Sequence, residues 1–244
     1  DPSSSCKDEI LKKYAHRILA VDWGGGGEKG VSLTVLAVMG ITSTGVIEVI
    51  WSKRLLTPHD HMAEASECLK IHRMFKCEFI THDFSGAGVV RETVLVQSGI
   101  SPTQLLPVQY VRAASKGMFT YIPSAPAHPR AHYRADKTRS LLTTCSAIRT
   151  KKLRFFAYDY VSSEDPGLIQ DFLALIENKA TTAAGSDIYT IQRNPALSDD
   201  FAQSVNIGCL CLWHMTGRWP DFKTDRYSVT REQAMETGMG GWNT

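Results

Sequence analysis

Acidic residues lie at the borders of three apolar stretches of the sequence. Asp22 is near the end of the first (RILAVDW, residues 17–23), Asp83 is near the end of the second (CEFITHDF, residues 77–84), and Asp199 and Asp200 open the third (residues 199–213). A carboxylate at the end of a buried strand is costly without a cation or a basic partner. Carboxylate oxygens are hard ligands that favour Mg²⁺ or Mn²⁺ over zinc. The pattern predicts that these four residues bind metal.

The chemistry that such a site supports is phosphodiester hydrolysis. Two divalent ions about 4 Å apart stabilise both the attacking water and the leaving oxygen. We therefore predict Asp22, Asp83 and Asp200 as the catalytic acids, with Asp199 either a further metal ligand or only the cap of the helix. A single Asp at a strand end or helix start is commonly a turn former or a cap, so the prediction rests on the three positions together.

The order of elements decides whether these acids can meet. Apolar alternation and turn residues predict strands at residues 17–23, 31–39, 45–55, 77–84 and 105–111. Helical spacing predicts helices at residues 61–75, 86–97, 137–149, 167–178 and 199–213, with a possible hairpin at 153–160. A three-strand antiparallel meander followed by parallel β-α-β units makes an α/β fold: a mixed five-stranded sheet with helices on both faces.

Basic residues are concentrated in one part of the chain, although the net charge is only +2. Residues 112–154 contain ten Lys and Arg against a single acid. Such a cluster beside a carboxylate site is what a DNA backbone requires. Residues 117–132 are predicted to form a long loop beside the DNA. The predicted phosphate contacts are Lys29, Arg112, Lys116, Arg130, Arg134, Lys137, Arg139, Lys151 and Lys152.

Three short motifs carry a resemblance to a known family. The sequences AVDWG (residues 20–24), THDFSG (81–86) and SDDFA (198–202) resemble the acidic motifs of the nuclease domain of viral, bacteriophage-type terminase large subunits, which belong to the RNase H-like superfamily. The resemblance implies that the first and fourth strands are adjacent, so that Asp22 and Asp83 lie side by side. It also implies an endonuclease that cuts concatemeric viral double-stranded DNA during genome packaging with two Mg²⁺ or Mn²⁺ ions and no organic cofactor.

The same resemblance implies partners that the sequence does not contain. An ATPase motor domain, a small terminase subunit and a portal protein are expected, yet no G-x-x-x-x-G-K-[ST] phosphate-binding loop occurs here. The expected location is the cytoplasm of the host cell for a phage protein, or the nucleus for a eukaryotic virus, without secretion. No membrane partner is expected, because the most apolar stretch, residues 31–41, is too short to span a bilayer.

Domain limits and rival functions complete the expectations. We predict a linker or leader at residues 1–16, the nuclease domain at 17–215 and a C-terminal extension at 216–244. An actin-like ATPase is disfavoured because the glycine-rich opening after Asp22 is not repeated. Two alternatives stay open: another RNase H-like nuclease, such as a Holliday-junction resolvase, and an inactive RNase H-like module that only binds DNA or a portal.

Overall fold

The computed structural model describes residues 11–24, 32–56, 60–111, 117–156, 167–181 and 187–220. The strands are β1 (Tyr14–Asp22), β2 (Val35–Thr42), β3 (Ile47–Arg54), β4 (Phe79–Asp83), β5 (Leu105–Val111), β6 (Phe119–Ile122), β7 (His132–Asp136), β8 (Leu153–Arg154), β9 (Leu175–Thr181) and β10 (Asp187–Arg193). The helices are α1 (His61–Met74), α2 (Ala87–Gln97), α3 (Lys137–Arg149) and α4 (Asp200–Thr216). No helix in these ranges is long and apolar enough to cross a membrane.

One mixed sheet organises these elements, with strand order β6-β7-β5-β4-β1-β2-β3-β8. Strands β1, β2 and β3 form the predicted antiparallel meander. Strands β1, β4, β5 and β7 run parallel, so their carboxyl ends share one edge of the sheet, which we call the carboxylate edge. The predicted α/β class and mixed sheet are confirmed. The sheet has eight strands rather than the predicted five, because β6, β7 and β8 extend it at its two sides.

Strand β1 is buried on both faces, and its side chains alternate between two cores. Ile18 and Ala20 pack in the core on the side of α4, whereas Leu19 and Val21 pack with residues of α1 and α2 on the other side. This alternation follows from the two-residue period of a strand. Helix α4 approaches the sheet closely at Gly208, where an added Cβ would lie 3.0 Å from that of Ala20. The glycine therefore sets how near α4 can lie to β1.

Two predicted segments are wrong. The helix predicted at residues 167–178 is a short 3-10 helix (Ile169–Ala174) followed by β9, which pairs with β10 in a separate two-stranded sheet. The spacing of its apolar residues fits either a helix or a strand, and the pairing with β10 makes the second part a strand. The loop predicted at residues 117–132 contains β6, and β7 follows it directly. The proline-rich stretch between these strands obscured both of them.

Candidate active site

The four candidate acids converge at the carboxylate edge. Asp22 is the last residue of β1, and Asp83 is the last residue of its neighbour β4. Helix α4 crosses the sheet over β1 and β2 and begins at Asp199, its N-cap, and Asp200. Fold topology thus brings together acids that are 61 and 116 residues apart in the sequence, counted from Asp22 to Asp83 and from Asp83 to Asp199.

Asp22 is the electrostatic centre of the group. Its side chain is buried, with 8% of the residue exposed. Burial raises the pKa of Asp22 well above its usual value, and the negative charges of Asp83, Asp200 and Asp199, in that order, raise it further, while Lys137 lowers it. Among the residues that the structure describes, none donates a hydrogen bond to this carboxylate. Ionised Asp22 is therefore a buried charge with little compensation from the protein.

Asp83 and Asp200 are buried but receive hydrogen bonds. The backbone N–H of Ser85 donates to Asp83 Oδ1 over 2.9 Å. Asp200 accepts bonds from Ser32 Oγ at 3.0 Å and from the backbone N–H of Leu33 at 2.8 Å. Its Oδ2 also lies 3.0 Å from Ser198 Oγ, which has one hydroxyl hydrogen to share between Asp200 and Asp171. Burial nevertheless raises the pKa of both carboxyl groups. Because a carboxylate has about four acceptor positions, Asp200 has about one or two left for a further ligand.

Asp199 has fewer contacts than Asp200. Its Oδ2 accepts a hydrogen bond from Gln203 Nε2 at 2.6 Å, and its Oδ1 lies 3.9 Å from Arg193 Nη1. Although Asp199 is the N-cap residue of α4, its side chain makes no capping hydrogen bond. The capping role that we considered for Asp199 is therefore wrong, and its carboxylate stays available for other ligands.

The chemistry of these donors fits a hard divalent cation. Four carboxylates share one edge, and burial and mutual repulsion raise the pKa of Asp22, which a bound cation would relieve. Within the described ranges, no three His, Cys, Asp or Glu side chains are already arranged around a common ion position. A shared ion would therefore require side-chain adjustment at this edge.

Lys137 is the basic residue whose charge acts on both Asp22 and Asp83. It is the first residue of α3, directly after β7, and its charge lowers the pKa of both Asp22 and Asp83. Its Nζ lies 5.4 Å from the ring centroid of Tyr110 in β5. The partly buried hydroxyl of Tyr110 accepts a hydrogen bond from Asn206 Nδ2 in α4 at 2.7 Å. The ring beside Lys137 is therefore held in place by a hydrogen bond from α4.

The other predicted phosphate contacts are scattered. Arg139 is exposed in the first turn of α3, near Lys137. Arg130 Nε donates to Glu92 Oε1 over 2.6 Å and Nη2 donates to the carbonyl of Leu105, at the start of β5. Arg134 lies mid-strand in β7, with Nη2 3.3 Å from His128 Nε2.

Two predicted contacts lie at the opposite edge of the sheet. The backbone N–H of Ile47, which begins β3, donates to the carbonyl of Lys152. Strand β3 runs parallel to β1, so Lys151 and Lys152 are far from the carboxyl ends of the strands. Lys29, Arg112 and Lys116 lie outside the described residues.

Two arrangements beside the acids were missed by sequence reasoning. One is Arg193, the last residue of β10, whose segment carries no basic cluster. The other is a set of contacts between the end of β1 and the start of β2. Arg91 Nη2 donates to the carbonyl of Gly24 and Nε to Glu64, which accepts from Thr34 Oγ1. Both arrangements depend on contacts between distant segments and have no local signal.

Comparisons with known proteins identify the fold. No family model and no curated protein sequence matches the chain. Among solved structures, it is similar to the large terminase nuclease of thermophilic phage G20c, with 11% identity, a TM-score of 0.49 and coverage of 79% of this chain and 80% of that one. It is also similar to a mutant nuclease domain of the large terminase subunit of bacterial virus Sf6, solved with manganese and β-thujaplicinol, with 10% identity, a TM-score of 0.51 and coverage of 84% and 92%. The chain therefore has the RNase H-like α/β fold of the Sf6 nuclease domain.

Proposed function

We propose that this chain is a metal-dependent DNA endonuclease of the terminase large-subunit type, which cuts concatemeric viral DNA during genome packaging. The observation that supports this function best is the convergence of Asp22, Asp83, Asp199 and Asp200 on one edge of the sheet, with the pKa of Asp22 raised by burial and by the other three acids. The fold shared with phage terminase nuclease domains agrees with this chemistry.

In this proposal Asp22 and Asp83 hold the metal, and Asp199 is the acid best able to join them. Asp199 accepts one hydrogen bond, whereas Asp200 accepts two and shares the hydroxyl hydrogen of Ser198 with Asp171. Asp200 contributes its remaining acceptor capacity and its charge. These acids would hold two Mg²⁺ or Mn²⁺ ions, which would supply Lewis-acid activation of the attacking water and stabilisation of the leaving oxygen.

The DNA backbone would approach from the side of α3. Lys137 and Arg139 are in the first turn of this helix, and Arg193 lies beside Asp199. These three cations are on the flank of the acids and would contact phosphates without reading the sequence of bases. We leave three predicted contacts out of this surface. Arg130 bonds to Glu92 and to the carbonyl at the start of β5, and Lys151 and Lys152 lie at the opposite edge of the sheet. A motor domain, a small terminase subunit and a portal protein are the partners that we propose by resemblance, in the cytoplasm of the host cell for a phage protein or in the nucleus for a eukaryotic virus.

The experiment that tests this function is cleavage of supercoiled plasmid by the purified chain. We expect nicked and linear DNA with Mg²⁺ or Mn²⁺ and intact plasmid with excess EDTA. Linear duplex and four-way junction substrates of matched length should be cut at similar rates, whereas strong preference for the junction would indicate a resolvase. Absence of cleavage with either metal, by folded protein that binds DNA, would contradict the proposal and favour an inactive binding module.

Lys137→Ala is expected to weaken binding to duplex DNA. It should also reduce the slope of log affinity against log salt concentration by about one, the value for one lost phosphate contact. The reason is that Lys137 is the described basic residue whose charge acts on Asp22 and Asp83. Fluorescence anisotropy over a series of salt concentrations in EDTA measures this slope. Lys152→Ala is the matched control, since it removes an equal charge at the opposite edge of the sheet. Equal slopes for the two variants would rule out this DNA orientation.

A further inference from the structure

The start of α4 is held by a buried ion pair from two other parts of the chain. Arg54 is the last residue of β3, and Asp171 lies in the 3-10 helix before β9. Arg54 Nη2 lies 2.7 Å from each carboxylate oxygen of Asp171, and each of the two side chains is 3% exposed. The two residues are 117 positions apart in sequence. The ion pair therefore joins the end of β3 to the 3-10 helix before β9.

Asp171 also accepts hydrogen bonds from the residues on either side of Asp199 and Asp200. Its Oδ2 accepts from Ser198 Oγ at 3.1 Å, immediately before Asp199, and from the backbone N–H of Phe201 at 2.8 Å, immediately after Asp200. Ser198 Oγ also lies 3.0 Å from Asp200 Oδ2. Asp171 thus caps α4 from a distant segment, a role that the side chain of the N-cap residue itself does not perform.

These contacts are difficult to explain by stability alone. A buried ion pair loses hydration on both partners, and apolar side chains of similar volume often give equal or greater stability. The geometry instead fixes the backbone on either side of the two acids, and hence the direction of their carboxylates. Groups that orient metal ligands commonly change metal affinity by about 10- to 100-fold when they are removed.

We propose that Arg54 and Asp171 are positioning residues for the metal site, acting through Ser198 and Phe201 on Asp199 and Asp200. This inference rests on the proposed function. In this role Asp171 is not itself a metal ligand; it holds the first turn of α4 in the orientation from which the acids would reach the ion. Its removal should therefore weaken metal binding while leaving the fold of the chain intact.

The test is Mn²⁺ binding by isothermal titration calorimetry, with the fold checked by circular dichroism. The main variant combines Arg54→Met with Asp171→Leu, which removes both charges and leaves neither buried without its partner. We expect this variant to fold and to bind Mn²⁺ at least about 10-fold more weakly than the unmodified chain. Asp171→Asn, which retains the shape of the side chain, gives the same readout if the double variant does not fold.

Leu153→Ala is the control for a general loss of stability. Leu153 is a buried residue of β8 at the edge of the sheet opposite the acids, with 2% exposure. Its replacement should lower the melting temperature and leave Mn²⁺ affinity within about twofold, because truncation of a core side chain acts on stability. Wild-type Mn²⁺ affinity in the double variant would overturn the positioning role alone. Failure of the unmodified chain to bind Mn²⁺ would overturn this role and the proposed function together.

Discussion

Asp22→Asn is expected to reduce metal-dependent plasmid cleavage at least about 1,000-fold, which corresponds to about 4 kcal/mol of transition-state stabilisation. Asn has nearly the same shape as Asp but carries no charge. The carboxylate of Asp22 lies at the centre of the acid group, where the charges of Asp83, Asp200 and Asp199 all act on it. Its loss removes the ligand that a cation at this edge would share with the other acids.

The control for this variant is a charge-neutralising change of the same kind elsewhere on the sheet. Glu78 directly precedes β4 at the opposite edge, where its carboxylate lies 2.9 Å from His16 Nδ1. Glu78→Gln should retain cleavage within about twofold of the unmodified chain. Initial rates of plasmid nicking at saturating Mn²⁺ provide the comparison. An Asp22→Asn variant that cuts within tenfold of wild type would show that the acids at this edge do not perform the reaction.

The metal-free protein should lose stability as the pH rises above the unfolded pKa of its buried acids. Burial raises the pKa of Asp22, and of Asp83 and Asp200, above the unfolded value of 3.8. A carboxyl group with a raised folded pKa stabilises the fold fully below its unfolded pKa, and this contribution is lost as the pH rises through the folded pKa. Each unit of difference corresponds to about 1.4 kcal/mol. The midpoint of urea unfolding in EDTA measures this trend.

The difference between the unmodified chain and Asp22→Asn isolates the contribution of this acid. Burial lowers the pKa of His72 below its unfolded value of 6.5, which gives a slope of opposite sign below that pH in both proteins. We expect Asp22→Asn to be the more stable protein at pH 8 without metal and the advantage to shrink at pH 5. Mn²⁺ should stabilise the unmodified chain more than the variant. Equal free energies of unfolding for the two proteins at pH 8 would show that ionised Asp22 does not destabilise the fold.

The central part of the fold could be predicted from the sequence because its signals are local. Strand β1 alternates between two cores and ends in Asp22, and the meander and the first β-α-β unit follow with turn residues at their borders. The side strands β6 and β7 were missed because the proline-rich stretch between them interrupts their pattern, and β8 has only two residues. Their place in the sheet depends on pairing with neighbouring strands, which has no local signal.

The residues of the candidate site also divide into those with a local sequence signal and those that depend on contacts between distant segments. Asp22 and Asp83 were identifiable because each ends an apolar strand, and Lys137 because it belongs to a basic cluster. Asp171 was hidden in a segment with helical spacing, and its partner Arg54 lies at the end of a strand far away in the sequence. The relative roles of Asp199 and Asp200 also depend on contacts with Gln203, Ser32 and Leu33, which only the folded chain brings together.

The most direct test of the central claim is a crystal structure of the chain grown with Mn²⁺, with anomalous scattering used to locate the ions. The account predicts a Mn²⁺ peak bound by carboxylate oxygens of both Asp22 and Asp83, at about 2.1 Å as for octahedral oxygen ligands of Mg²⁺, and a second peak about 4 Å away near Asp199 or Asp200. A structure at millimolar Mn²⁺ with no anomalous peak within ligand distance of Asp22 would contradict it.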